Sequence, residues 1–158
     1  MNSAMTYETT TTNSAATQLV ASRLSRLLKG GEVIELISDL GGGKTTFVQG
    51  LARGLGYHGA VTSPTFTLSN VYQLGRDLKV HHYDLYRLGE GGVLADEIAE
   101  DIGDDGIITI IEWAGVAEAQ LPSDRLRVSF EVTGDTERSL TFSAGGPVSQ
   151  TLIKELAR

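Results

Sequence analysis

Nine consecutive residues, Ser38-Asp39-Leu40-Gly41-Gly42-Gly43-Lys44-Thr45-Thr46, hold the clearest chemistry in the chain. They follow an apolar, β-branched run, Val33-Ile34-Glu35-Leu36-Ile37, so a strand feeds a glycine loop that ends in Lys-Thr. This is the layout of a phosphate-binding loop and implies a bound nucleoside triphosphate. Gly41, Gly42 and Gly43 have no Cβ, so the backbone can turn its N–H groups inward and approach a polyanion closely. Those N–H groups, with the positive end of a helix starting near Lys44, make a cradle for phosphate oxygens. Lys44 would reach the terminal phosphates as a point charge, and the Thr45 hydroxyl is placed to ligate a magnesium ion. The pattern G-x-x-x-x-G-K-[ST] asks for glycine where this chain has Ser38, a small, turn-compatible residue whose expected effect is modest local strain. The plainer alternative is a glycine turn with Lys44 merely solvated.

Two acids, Asp84 and Glu112, fall where strands should end. Beside a phosphate loop, such a carboxylate can hold magnesium, directly or through water, or orient an attacking water. Glu112 follows the more apolar strand and reads as the metal-side acid, with Asp84 near the γ-phosphate or the metal's water shell. Thr65, in Ser63-Pro64-Thr65-Phe66-Thr67, reads equally as a switch residue sensing the γ-phosphate or as a turn residue beside Pro64. Trp113, the only tryptophan, could pack on a base or a partner, although core is the commoner fate of such a ring. His81 and His82 point to opposite faces of one strand, so they cannot chelate a metal together, and neither reads as catalytic. Arg87 and Arg138 could cover a nucleotide, with a surface role as the default.

The elements that must position these residues follow from periodicity and punctuation. Leu19, Val20, Leu24, Leu27 and Leu28 recur at helical spacing after Asn13 and Ser14, either of which can cap, and Gly30-Gly31 closes that helix. Glu32 to Ile37 reads as the strand before the loop and Thr45 to Leu55 as the helix after it. Phe66 to Leu74 and Leu78 to Tyr83 read as a hairpin across Gly75-Arg76-Asp77. A short acidic helix spans about Val93 to Asp101, and Ile107 to Ile111 should be a central strand buried on both faces. Leu126 to Val132 and Ser139 to Phe142 form a second hairpin, and Val148 to Leu156 a terminal helix. The expected fold class is α/β: a three-layer P-loop NTPase-like domain with a mixed β-sheet and the nucleotide at the carboxyl ends of its strands.

A chain of 158 residues is about one domain long. Residues 13–158 are expected to form a single domain. Met1 to Ala4 ahead of Met5 reads as an expression remnant, residues 1–12 are expected to be a disordered or expression-derived segment, and the polar tract Thr9 to Thr12 is expected to be frayed. Hydrophobic residues make up 41% of the chain, and no apolar run approaches the ~18 residues of a membrane span, so a soluble globular protein without membrane contact is expected, and an ATP-dependent protein without a secretory signal is expected in the cytoplasm. The lack of cysteine removes disulfide, zinc-thiolate and thiol-nucleophile chemistry. A formal charge of -7 argues against a free-standing DNA or RNA binder, which would need clustered Lys and Arg.

Four blocks in order, Asp39 to Phe47, Ser63 to Leu68, His82-Tyr83-Asp84-Leu85-Tyr86-Arg87-Leu88 and Ile111-Glu112-Trp113, resemble the bacterial TsaE family, formerly YjeE. The likeness extends from about Ser14 to the last helix. It implies an ATPase that works with TsaB and TsaD in making the threonylcarbamoyladenosine modification of tRNAs, resetting their complex and meeting tRNA only indirectly. Carried over, Lys44 and the backbone of Leu40 to Thr46, entered through Asp39, would hold ATP. Thr45 and Glu112 would be the magnesium side, Asp84 the second catalytic acid and Thr65 part of a mobile segment. Nucleotide contacts are also implied at Ser14 and Arg138, and Trp113, from its place beside the acid, is counted with them as a candidate nucleotide contact. Ser38 stands where the family usually has glycine and could lower nucleotide affinity; Gly42 stands where alanine is frequent and should be harmless.

Two other functions use the same loop. A small-molecule kinase would need a lid with several arginines and an acceptor pocket, of which only Arg87 and scattered others are candidates. A nucleotide-gated interaction module would bind without useful hydrolysis. A guanine-nucleotide switch is disfavoured because the chain has no Asn-Lys-x-Asp segment.

Overall fold

The computed structural model describes residues 5–39, 41–87 and 92–158. Seven strands form one mixed sheet: β1 (Thr6–Thr11), β2 (Val33–Ile37), β3 (Ser69–Leu74), β4 (Leu78–Asp84), β5 (Ile107–Glu112), β6 (Leu126–Val132) and β7 (Arg138–Ala144). Their spatial order is β1-β7-β6-β2-β5-β4-β3. The four central strands β6, β2, β5 and β4 run parallel, whereas β7, β1 and β3 pair antiparallel to their neighbours. All six residues of β5 are buried, as its β-branched run requires for a strand covered on both faces.

Helices α1 (Ser14–Ser25), α2 (Lys44–Gly54) and α4 (Pro147–Leu156) cover one face, where Leu24, Phe47, Leu51 and Ile153 pack on Ile34, Ile110, Val128 and Phe142. Helix α3 (Gly92–Asp101) and a 3-10 segment, Ala114–Gln120, cover the other, where Ile98 and Ala117 meet Tyr83 and Ile111. Three layers result. Among the described residues no helix is long and apolar enough to cross a membrane.

Each helix has a local cause. Asn13 caps α1 by accepting from the Ala16 N–H at 2.8 Å. The buried stripe of α1 is Thr17, Val20, Ala21, Leu24 and Ser25, while Leu19, expected inside, is 62% exposed. Gly146 begins α4 without a side chain to cap it. Asp124, from the loop before β6, supplies the cap instead, accepting from the Val148 and Ser149 N–H groups and the Ser149 hydroxyl. Burial pushes the Asp124 carboxyl up, but these three donors outweigh it and hold the group below its ordinary value.

The expected disorder of residues 1–12 is corrected for 6–11, since Thr6 to Thr11 pair in register with Ser143 to Arg138 of β7. The alternation of Thr and Glu8 lays polar side chains outward on an edge strand, and composition alone had disguised it. Residues 1–4 lie outside the described residues. Strand β1 matters for the site because it is aligned with β6, so its carboxyl end delivers Asn13 and Ser14 to the edge where β2, β4, β5 and β6 also end. The turn from β6 into β7 brings Arg138 to that edge, and β3, running the other way, begins there after Thr65.

Candidate functional site

The loop between β2 and α2 opens the site. Gly43 lies at φ +106° and Gly41 at φ +79°, left-handed conformations that oppose a side chain. These two residues turn the chain into α2, whose first residue is Lys44. Leu40, read as a phosphate-binding residue, lies outside the described residues. Asp39 is exposed, and its carbonyl accepts from the Gly42 N–H at 3.2 Å and from the Ser38 hydroxyl at 2.8 Å. Ser38 does more than replace a glycine: a Cβ built on Gly42 would lie 2.4 Å from Ser38 Oγ and 2.7 Å from Ser38 Cβ. The glycine at 42, which the sequence marked as harmless, is what makes room for the serine at 38.

Lys44 is only 7% exposed. Its Nζ donates to the Ser38 carbonyl at 3.1 Å, lies 4.0 Å from Glu112 Oε1 and sits 4.6 Å from the centre of the Trp113 ring. Burial pushes the Lys44 ammonium below its ordinary value, and the charges of Glu112, Asp84 and Asp39 pull it back only in part.

Asp84 and Glu112 end adjacent parallel strands as a register pair. Both are buried, at 3% and 2% exposure. Asp84 accepts from the Thr65 hydroxyl at 2.7 Å through Oδ2 and from the Tyr86 N–H at 2.9 Å through Oδ1. Thr65, left open between switch and turn, therefore touches the site. Glu112 Oε2 lies 2.9 Å from His82 Nε2. A cleft of about 270 Å³ is lined by Gly41 to Thr46, Ser63, Thr65, Asp84, Glu112, Trp113 and Arg138. Next to it, a recess of about 90 Å³ joins Ser14, Gly43, Thr46 and Arg138.

A larger recess of about 440 Å³ lies beside Trp113, between Ile37, Leu85, Tyr86 and Val116. Its walls are mostly apolar, and it lacks the loop glycines, Lys44 and both strand-end acids. The smaller polar cleft is where phosphate chemistry can occur, because cation, carboxylates and a helix N-terminus converge there.

The family profile described as "Threonylcarbamoyl adenosine biosynthesis protein TsaE" matches residues 11–140. The chain belongs to the TsaE family. It is 39% identical over 153 residues to the tRNA threonylcarbamoyladenosine biosynthesis protein TsaE of Bacillus subtilis (strain 168), covering 94% of this chain and 92% of that protein. The Streptomyces coelicolor TsaE is 39% identical over 116 residues, covering 72% and 78%. Among solved structures, Bacillus subtilis YdiB superposes with a TM-score of 0.81 at 34% identity, covering 100% of this chain and 98% of that one.

Within this TsaE chain, the positions read from sequence gather at one end of the sheet, Leu40 aside. Trp113, whose default reading was core, packs in part against the cluster around Tyr83 and Ile111 and also lines the cleft, in a left-handed backbone conformation with φ 57°. Arg87 lies apart, stacked over the exposed Phe66 ring at 4.3 Å. Sequence reasoning missed His82. The signal was available: His82 is two residues before Asp84 on one strand, so the two side chains share a face.

Proposed function

We propose that this protein is a P-loop ATPase that acts in the synthesis of threonylcarbamoyladenosine on tRNA. The biosynthetic role is supported by the names of its relatives. The observation that carries the ATPase reading is the convergence of Lys44, Asp84 and Glu112 on a glycine loop at a helix N-terminus, all inside one polar cleft. Asp84, Glu112 and the buried ammonium suit a polyphosphate accompanied by a divalent cation, because hard oxygen donors face a compact positive charge.

In this reading the loop N–H groups bind phosphate oxygens and Lys44 leaves the Ser38 carbonyl to neutralise the terminal phosphate. Asp84, freed from the Thr65 hydroxyl, orients the attacking water. Thr45 and Glu112 would hold the magnesium ion, which, when bound, offsets charge on the phosphates. Ser14 and Arg138 border the adjoining recess and would contact the nucleotide outside the phosphates, with Trp113 at the rim. Hydrolysis would act on a complex of TsaB and TsaD in the cytoplasm, tRNA being met through that complex.

The test is twofold. Titration calorimetry with ATP or ADP and magnesium should show saturable binding. Turnover should be slow for the isolated protein and rise when TsaB and TsaD are added; an unchanged rate in a verified ternary mixture refutes the proposed partnership, and no nucleotide uptake by folded protein refutes the ATPase.

A further inference from the structure

His82 is completely buried, yet it is not paired as a core histidine would be. Its Nε2 meets Glu112 Oε2 at 2.9 Å, while its Nδ1 has no hydrogen-bond partner among the described residues. A ring with hydrogen on Nδ1 would bury a donor without an acceptor and would point the Nε2 lone pair at a carboxylate oxygen. The neutral ring with hydrogen on Nε2 avoids both, since Nε2–H donates to Glu112 and what is left unpaired is an acceptor, not a donor.

The strand geometry makes this contact specific. In the row Val80, His82, Asp84, all on one face of β4, burial is complete or nearly so and the chemistry turns from apolar to polar at His82. His82 is the register partner of Ile110, so it reaches Glu112 diagonally, two residues further along β5. With Oε2 held by the ring, Oε1 is the oxygen that faces Lys44 Nζ.

We infer that His82 is a positioning residue: its Nε2–H fixes the Glu112 carboxylate so that one oxygen is committed to the protein and the other is presented to the cleft. This rests on the assignment of Glu112 to the metal side of an ATPase site. An outer partner of this kind orients a metal-binding carboxylate, and its loss typically costs about 10- to 100-fold in metal affinity or activity. The role needs no proton transfer by His82.

Two substitutions separate positioning from packing. His82→Gln carries an amide nitrogen to the level of Nε2 and can donate to Glu112, whereas His82→Asn carries it only to the level of Nδ1 and cannot. For His82→Asn, kcat is expected to fall about 10- to 100-fold, with the magnesium-dependent gain in ADP affinity reduced and magnesium-free ADP binding unchanged. His82→Gln should recover most of both losses. If His82→Asn keeps wild-type kcat and the magnesium-dependent gain, or if His82→Gln is as impaired as His82→Asn, the inference is overturned. Nitrogen-15 spectra of the nucleotide-free protein supply a readout independent of hydrolysis: the ring should carry its hydrogen on Nε2, and a hydrogen on Nδ1 would also overturn it. A wild-type protein that shows this tautomer but takes up no nucleotide would defeat the ATPase reading while leaving the His82 contact intact.

Discussion

Ser38 and Gly42 should behave as one unit, and a double-substitution cycle can measure how strongly. In Gly42→Ala the new methyl group would stand 2.4 Å from Ser38 Oγ, 2.7 Å from Ser38 Cβ and 3.2 Å from the Asp39 carbonyl oxygen. The hydroxyl could rotate away, but Cβ moves only with the backbone of the loop itself. Overpacking of this kind costs about 1–3 kcal/mol, which corresponds to roughly 5- to 150-fold in nucleotide affinity if the strain falls on the binding conformation. Ser38→Gly removes both of the close atoms and leaves only the 3.2 Å contact, so Gly42→Ala in that background should be nearly neutral. The coupling free energy should therefore recover most of the ~1–3 kcal/mol lost by Gly42→Ala alone. The assay is calorimetric titration with ADP and magnesium, alongside thermal melting of each of the four proteins without nucleotide. Equal penalties for Gly42→Ala in the wild-type and Ser38→Gly backgrounds, in both affinity and melting temperature, would refute the reasoning.

Two further predictions concern the charges of Lys44 and Asp124. Lys44→Met should reduce hydrolysis by on the order of 2–4 kcal/mol in the transition state, yet melt no lower than wild type at neutral pH. The folded-state value of Lys44 is depressed, so the penalty of its buried charge is full below that value and fades as pH rises toward the ordinary 10.5, where both states lose the proton; a variant that melts well below wild type at neutral pH contradicts this. Asp124→Ala should cost about 1 kcal/mol at neutral pH by uncapping α4. Because the folded-state Asp124 value is lowered, its contribution is present above 3.8 and lost as pH falls through the folded value, so the gap between variant and wild type in urea unfolding should close in acid; a gap independent of pH rules the cap out as its source.

The parts of the fold written as strong periodicity were legible. The all-buried β5, the glycine loop and the β3–β4 and β6–β7 hairpins each needed only local pattern and turn chemistry, and Asp84 and Glu112 stand at strand ends as expected, side by side in register. What was not legible depended on contacts between distant segments. Strand β1 reads as a polar tract because an edge strand shows half its residues to water, and its strand character comes from β7, over 100 residues away. The coupling of Ser38 to Gly42 is a matter of tenths of an ångström in a loop, which spacing cannot express. His82 was dismissed by asking whether it could pair with His81; the relevant neighbour was the acid on the next strand.

Most polar groups of the cleft satisfy one another, although the Trp113 Nε1–H has no partner among the described residues. Lys44 donates to the Ser38 carbonyl, Asp84 accepts from Thr65 and Tyr86, and Glu112 accepts from His82. A phosphate entering the cleft must exchange the first of these contacts for its own, and at Lys44, where one hydrogen bond replaces another, the gain has to come from charge. Lys44 is the group for which that gain is largest, because burial already disfavours its proton and a neutral carbonyl does little to offset the penalty. The contacts of the two acids differ in what they restrain. His82 and Glu112 belong to neighbouring parallel strands of the central sheet, whereas Thr65 reaches Asp84 from a loop that also carries Leu68 at φ 69° and the Phe66 ring at 79% exposure. Of the two carboxylates, Glu112 is therefore held by the rigid scaffold and Asp84 by the part of the site with the least packing to resist a change of partner.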